Sequence, residues 1–280
     1  MSYINKNKKK CNFGRELNIE EKKELMLSIL DEIDEFCRCN DIQYFLVGGS
    51  LLGSIRHNGF IPWDDDIDIG LLREDYDRLL SYFVSNSGNV QIEDYRKNKK
   101  HKWANAKAYD KRTILIETGD EKSPTGVFVD IFPFDYVIGD REKAKSKTIQ
   151  KKRWKDILTV KHLQVDRTRA TWKNIIVVCS KILYLIPDGY IIGKINKIET
   201  ENIGINDVEY ICNFTGAWGI KELAPSRCFK STTEAIFEGR KYKIPIGYDE
   251  YLTNVYGEYM TPPPIEKQIS HHDSIAYWKE

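Results

Sequence analysis

Two neighbouring blocks constrain this chain more than any other feature: Leu46-Val-Gly-Gly-Ser-Leu-Leu-Gly-Ser-Ile-Arg56 and Gly59-Phe-Ile-Pro-Trp-Asp-Asp-Asp-Ile-Asp68. Tyr44 to Val47 reads as a short apolar strand running into Gly48-Gly49, with Leu51 to Arg56 as a short helix ended near Asn58-Gly59. Pro62 stops any helix and pushes Ile61 into an extended conformation, so a second strand is expected from Asp65 to Leu71. Strand side chains alternate. Asp66 and Asp68 therefore share one face, Ile67 and Ile69 take the other, and Asp64 has the same parity but falls at the strand's entrance.

Each half has an ordinary reading: a Gly-Gly-Ser turn often only reverses the chain, and acidic runs are often solvated loops. Here Phe60, Ile61 and Trp63 on one side and Ile67 and Ile69 on the other frame the acids in apolar residues, which a solvated loop does not need. Gly48, Gly49 and Ser50 would let backbone N–H groups and a helix N-terminus approach an anion. Carboxylate oxygens suit Mg²⁺ or Mn²⁺, hard cations that also take phosphate oxygens. The pair reads as a metal-dependent site for a nucleotide-activated phosphate.

Around this unit, Asn18 and Glu21 resemble a capping box, opening an amphipathic helix to Cys39 through Met26, Ile29, Leu30, Ile33 and Phe36. Residues 1–17 read as a frayed basic arm. A helix is expected over Arg73–Val84, with short strands near Val90–Ile92, Trp103–Tyr109 and Thr113–Glu117. A stronger strand, Val127–Phe132, is closed by Pro133 and interrupted by Asp130, a carboxylate that needs a partner when buried. A metal shared with Asp66 and Asp68 would be one. Lys107, among small apolar neighbours, reads either as a half-buried cation of the site or as an exposed edge lysine; Arg56 could reach a phosphate or pair with a carboxylate. Residues 140–203 turn helical, followed by a strand at Val208–Phe214, a hairpin across Phe237–Pro245 and a helix over Tyr248–Tyr256. No linker divides residues 18–280, which read as a single α/β domain carrying a helical insertion at 140–203.

With 280 residues, 41% hydrophobic and 30% charged, the chain can bury a sizeable core. Its 43 basic and 42 acidic side chains argue against a dedicated nucleic-acid binder. Six scattered cysteines without a Cys-x-x-Cys pair suit reduced thiols in a cytoplasmic protein, and no apolar stretch follows the basic N-terminus to make a signal peptide. The longest apolar run, Ile175–Ile186, is shorter than the roughly 20 residues of a membrane span. A buried helix is expected there; the alternative is an interfacial helix resting on a membrane beside the lysine-rich stretch Lys143–Lys161.

The run from Val47 to Asp68 resembles the signature of the LicD family, bacterial phosphorylcholine transferases related to fukutin. Further matching blocks are Val129-Asp-Ile-Phe-Pro-Phe-Asp135, Asn254-Val-Tyr-Gly-Glu-Tyr259 and Pro262-Pro-Pro-Ile-Glu-Lys-Gln-Ile-Ser-His-His272. The resemblance implies a nucleotidyltransferase-type core, a mixed sheet flanked by helices. In it Gly48, Gly49 and Ser50 match the phosphate-side turn, Asp66 and Asp68 the metal pair, and Asp130 the third acid. It implies Mg²⁺ (or Mn²⁺) and transfer of a phospho-alcohol, phosphocholine from CDP-choline above all, to a hydroxyl of a cell-surface glycan built on a lipid carrier at the inner face of the membrane. His271 and His272 would face substrate or serve structure. The zinc-binding cysteine cluster of the metazoan relatives has no counterpart. Two other classes stay open: a nucleotidylyltransferase adding NMP to a small acceptor, and a non-enzymatic glycan- or lipid-binding subunit.

Overall fold

The computed structural model describes residues 13–98, 101, 103–117, 125–139, 141–163, 165, 170–202, 208–269 and 274–280. Strand β1 (Phe13–Glu16) leads into α1 (Ile19–Cys39). The Asn18 Oδ1 accepts from the Glu21 N–H at 2.8 Å and the Glu21 carboxylate accepts from the Asn18 N–H at 3.0 Å, closing the expected capping box. The apolar stripe of α1, centred on Met26, Ile29, Leu30 and Ile33, is buried in the main core. Next come β2 (Phe45–Leu46), α2 (Gly48–His57), β3 (Asp68–Leu72), α3 (Arg73–Tyr82), β4 (Val90–Glu93), β5 (Ala106–Asp110), β6 (Thr113–Glu117) and β7 (Phe128–Val137). The helical segment is α4 (Arg141–His162), α5 (Thr171–Cys179), a 3₁₀ turn at Ser180–Leu185 and α6 (Asp188–Glu199). The chain closes with β8 (Tyr210–Cys212), β9 (Leu223–Pro225), the hairpin β10 (Thr232–Phe237) and β11 (Arg240–Pro245), α7 (Tyr248–Tyr256) and β12 (Ser274–Lys279).

The architecture is the expected mixed α/β. The main sheet runs β2-β3-β7-β5-β4, with β3 and β7 parallel and the other pairs antiparallel; β8 and β9 extend it beyond the far half of β7. A second sheet pairs β1, β12 and β6. The β10–β11 turn has positive φ at both Glu238 and Gly239, the geometry whose twist matches a two-residue hairpin.

Several expectations need correction. Gly48 and Gly49 are not a turn ahead of a helix but its first residues, and Gly48 takes a left-handed φ of 54°. Strand β3 begins at Asp68 rather than Asp65, although the Asp130 N–H still reaches the Ile67 carbonyl at 2.9 Å. Strand β7 does not stop at Pro133. Its neighbour β5 covers Phe128–Ile131 and β8 covers Asp135–Val137, so Pro133 falls in the gap between them, where the missing donor leaves no ladder bond unmade. Residues Phe13–Glu16, assigned to the arm, form a strand against β12. The apolar run Ile175–Ile186 is not a buried helix: Ile175, Ile176, Val178, Ile182 and Leu185 are exposed, and Val177 is its one buried large apolar residue.

The insertion is tied to the sheet by a buried charged network. Arg73 of α3 grips Asp135 of β7 through two bonds of 2.6 and 2.7 Å and reaches Glu199 of α6 at 3.3 Å. Glu199 meets Lys151 of α4 at 2.9 Å, in a geometry that misses a hydrogen bond. Burial pushes the Asp135 carboxyl up to about 6, with the Arg73 fork opposing the rise, and lowers the Lys151 ammonium. Lys151 is therefore an internal residue and not part of a basic outer face.

Candidate active site

The register of the main sheet aligns four charged residues in one row. Asp68 of β3 lies beside Asp130 of β7, Asp130 beside Lys107 of β5, and Lys107 beside Glu93 of β4. In-register residues on adjacent strands point to the same face, so the row runs acid, acid, base, acid, while Ile69, Ile131 and Ala108 turn into the core. Lys107 is buried, and its Nζ lies 2.9 Å from the Asp130 carboxylate. The Asn105 side-chain amide donates to the same carboxylate at 2.6 Å. The Lys107 ammonium also sits 3.3 Å from the centre of the Phe128 ring and 4.9 Å from that of Trp103. Lys107 is thus a cation of the site and not an edge lysine.

A cavity of about 540 Å³ opens on this row, lined by Asp66, Asp130, Lys107, Trp103, Phe128 and Glu117 among others. Asp65, also on its wall, pairs with Lys22 of α1 at 3.6 Å. The cavity thus brings together two of the three acids assigned from sequence and Lys107. The third acid, Asp68, adjoins Asp130 through the β3–β7 pairing.

The start of α2 closes the other side. The Ser50 hydroxyl oxygen accepts from the Asp68 backbone N–H at 2.8 Å, so Ser50, itself buried, fixes the strand that carries the acid. A Cβ on Gly48 would lie 2.9 Å from Asp68 Oδ2, and one on Gly49 would run into the Asp64 carboxylate. The glycines are there because two carboxylates press against the helix N-terminus, where the helix dipole favours negative charge. Asp64 therefore joins the site, although the sequence left it at the strand's entrance. Its parity with Asp66 and Asp68 was the available signal. Burial, reinforced by the charges of Asp66, Asp130 and Asp64, pushes the Asp68 carboxyl well above the usual carboxylate range, against the pull of Lys107. Tyr256 of α7 also belongs to these surroundings. Its hydroxyl is raised by burial first, then by Glu222, Asp68 and Asp64, and its ring packs edge-on to Trp218 at 5.1 Å.

Arg56 is placed differently. Its guanidinium donates to the Tyr259 carbonyl at 2.7 Å and to His57 Nε2 at 2.9 Å, tying α2 to the segment after α7. His271 and His272 lie outside the described residues.

Among the described residues no three His, Cys, Asp or Glu side chains form a ready metal cage. Mg²⁺ rarely uses one, being held by one or two carboxylates together with substrate phosphates. Asp64, Asp66 and Asp68 supply hard oxygen donors, and the like-charge crowding at Asp68 is what a divalent cation relieves, so the donor set fits such an ion. Asp130 is already engaged by Lys107 and Asn105 and is less suited to a metal shell than to a proton-accepting role.

Behind the site, buried Glu222 accepts a 2.6 Å hydrogen bond from the Tyr251 hydroxyl. Burial pushes its carboxyl up to about 7 from 4.5, with Tyr251 opposing. Because the folded value is the higher one, this group's contribution to stability is full below the unfolded value and is lost as pH rises through the folded one. The melting temperature is expected to fall between about pH 5 and about pH 8, and Glu222→Gln to flatten that fall. An unchanged slope in the variant would remove Glu222 as its cause.

Comparison with known proteins places this geometry. Residues 41–174 match the family model described as LicD/FKTN/FKRP, nucleotidyltransferase domain. The chain is 32% identical to the lipopolysaccharide cholinephosphotransferase LicD of Haemophilus influenzae, an alignment covering 94% of this chain and 99% of that protein. Human ribitol 5-phosphate transferase FKRP is 56% identical over 49 residues, 18% of this chain and 10% of that protein. An uncharacterized protein of Rickettsia typhi is 47% identical over 58 residues, 20% of this chain and 19% of that protein.

Proposed function

Because this chain belongs to the LicD family, and so is an enzyme that transfers a phospho-alcohol group to a glycan, we propose that its donor is CDP-choline and that the group transferred is phosphocholine. The observation that carries the choice of head group is the cavity wall, where the rings of Trp103 and Phe128, capped in this structure by the Lys107 ammonium, stand beside the carboxylates of Glu117, Asp66 and Asp130; the turn of Lys107 toward a donor phosphate would free them for another cation. Aromatic faces with nearby negative charge attract a quaternary ammonium. The Haemophilus relative, aligned along nearly the whole chain, is named for choline phosphate. The FKRP match is confined to 49 residues and speaks to shared phosphate chemistry rather than to the head group.

In this reading the acceptor hydroxyl attacks the phosphorus that bears choline, the bond from that phosphorus to the CMP oxygen breaks, and CMP leaves with the electron pair. Bound at Asp66 and Asp68, Mg²⁺ or Mn²⁺ would supply charge neutralisation at the phosphates. Lys107 turns its ammonium from Asp130 toward a phosphate oxygen, and Asp130, released, takes the proton of the attacking hydroxyl. The N-terminal amides of α2 at Gly49 and Ser50 present donors to the donor's phosphates. Asn105 keeps Asp130 oriented throughout.

A panel of CDP-choline, CDP-ethanolamine, CDP-glycerol and CDP-ribitol, incubated with divalent cation and a lipid-linked oligosaccharide, tests this directly. CMP release is expected to be fastest from CDP-choline, with the preference reduced about tenfold in Trp103→Ala. Release of pyrophosphate from CTP without CMP formation would instead support nucleotidyl transfer. Preference for CDP-ribitol would overturn the head-group assignment.

A further inference from the structure

We propose that the face formed by α5 and the following 3₁₀ turn docks on an anionic lipid surface, lying in that surface rather than crossing it. Trp172, Ile175, Ile176, Val178, Ile182 and Leu185 are each between 51% and 82% exposed and are contributed by one continuous stretch of chain. Exposed apolar residues scattered singly need no explanation, but so dense a set on one element does. The sequence around them is one-sided in charge: from Arg167 to Pro187 it holds Arg167, Arg169, Lys173 and Lys181 and no acidic residue. Lys173 lies 5.5 Å from the Trp172 ring centre, pairing a cationic head with an aromatic residue of the kind that favours a membrane–water boundary, while the Lys181 ammonium donates to the Lys161 and Leu163 carbonyls and ties the turn to α4.

The fold explains why this face stays open. Helix α6 spends its own apolar side, Ile191, Ile192 and Ile195, against Leu158 of α4, with Tyr95 and Ala104 packed alongside. The stretch Thr171–Leu185 turns away from α6 by 87°; α4 meets it at Ser180 and Tyr184, and its outer side, with the six apolar side chains named above, stays exposed. No single helix there is long and apolar enough to cross a bilayer, whose core takes roughly 20 residues. A short helix with an apolar surface and basic flanks lies in the interface instead. A second copy of the chain fits less well, since this stretch offers the partner's lysines no carboxylate. Ala104 is next in sequence to Trp103 and Asn105 on the cavity wall, so docking through the insertion would hold the cavity close to the lipid surface.

The test uses the full chain and vesicles of phosphatidylglycerol and phosphatidylcholine in equal parts, with pure phosphatidylcholine as control. Salt-sensitive co-sedimentation with the anionic vesicles is expected. Ile176→Ser/Ile182→Ser/Leu185→Ser should weaken it at least about tenfold with no loss of melting temperature, and Lys173→Gln should weaken it selectively on anionic vesicles. CMP release with a detergent-solubilised acceptor should be unchanged in the triple variant, so this result stands apart from the donor assignment. No binding at low salt, or binding undiminished in the triple variant, would overturn the proposal. So would a dimer in sedimentation that the triple variant converts to a monomer without any vesicle binding, which assigns the face to a second copy.

Discussion

Asp68→Asn and Asp66→Asn are each expected to lower transfer by about 10³-fold while leaving the protein folded. Asp68 concentrates the site's constraints. Its backbone N–H is fixed by Ser50, its side chain abuts Gly48 at the head of α2, and it lies in register with Asp130. Its ionised form is disfavoured by burial and by three neighbouring carboxylates. Such crowding without benefit would be a burden to the fold, and in the proposed function the benefit is cation binding. Asn is nearly isosteric, so the substitution opens no cavity, removes repulsion, and should leave the metal-free protein melting at or above the wild-type temperature. Turnover rates and thermal melts on the same preparations check both halves. Wild-type turnover at ordinary Mg²⁺ would sink the assignment, and a lowered melting temperature would show that Asp68 is structural.

The second large effect concerns stability. Glu199→Leu is expected to cost about 3–5 kcal/mol, because it leaves the Lys151 ammonium buried and uncompensated and removes one of the two acids that Arg73 contacts. Adding Lys151→Met should recover much of the loss, since an apolar pair of similar volume can replace a buried ion pair at little cost. Denaturant unfolding of the single and double variants measures this. A single-variant cost below about 1 kcal/mol would mean that the insertion is held to the sheet by its apolar contacts alone.

What could be read ahead of the structure was what local chemistry determines. The Asn18–Glu21 box, the hairpin turn at Glu238-Gly239 and the helix over Tyr248–Tyr256 all depend on residues close in sequence, and they formed where the pattern placed them. Asp66 lies ahead of the regular strand, which starts only at Asp68, yet its charge still reaches the Asp68 carboxyl. Long-range pairing was not legible: nothing in Phe13–Glu16 announces that it will meet Ser274–Lys279, and the end of β7 depended on where β5 and β8 happen to pair. Two burial assignments inverted for a related reason. Lys151 looks like any other member of a lysine-rich helix until Glu199 closes over it, and Ile182 and Leu185 look like core until α6 occupies the place they would have filled. Asp64 was missed because its contact is with the backbone of another element, at Gly49.

The most direct measurement is calorimetric titration of CDP-choline into the wild-type protein and into Asp68→Asn, with Mg²⁺ and with a chelator. If Asp66 and Asp68 hold a cation that engages the donor's phosphates, wild-type protein binds CDP-choline tightly with Mg²⁺ and at least about tenfold more weakly with chelator, and Asp68→Asn binds weakly in both. Equal affinity in all four titrations would contradict the account, because the acidic cluster at the head of α2 would then have no part in holding the donor.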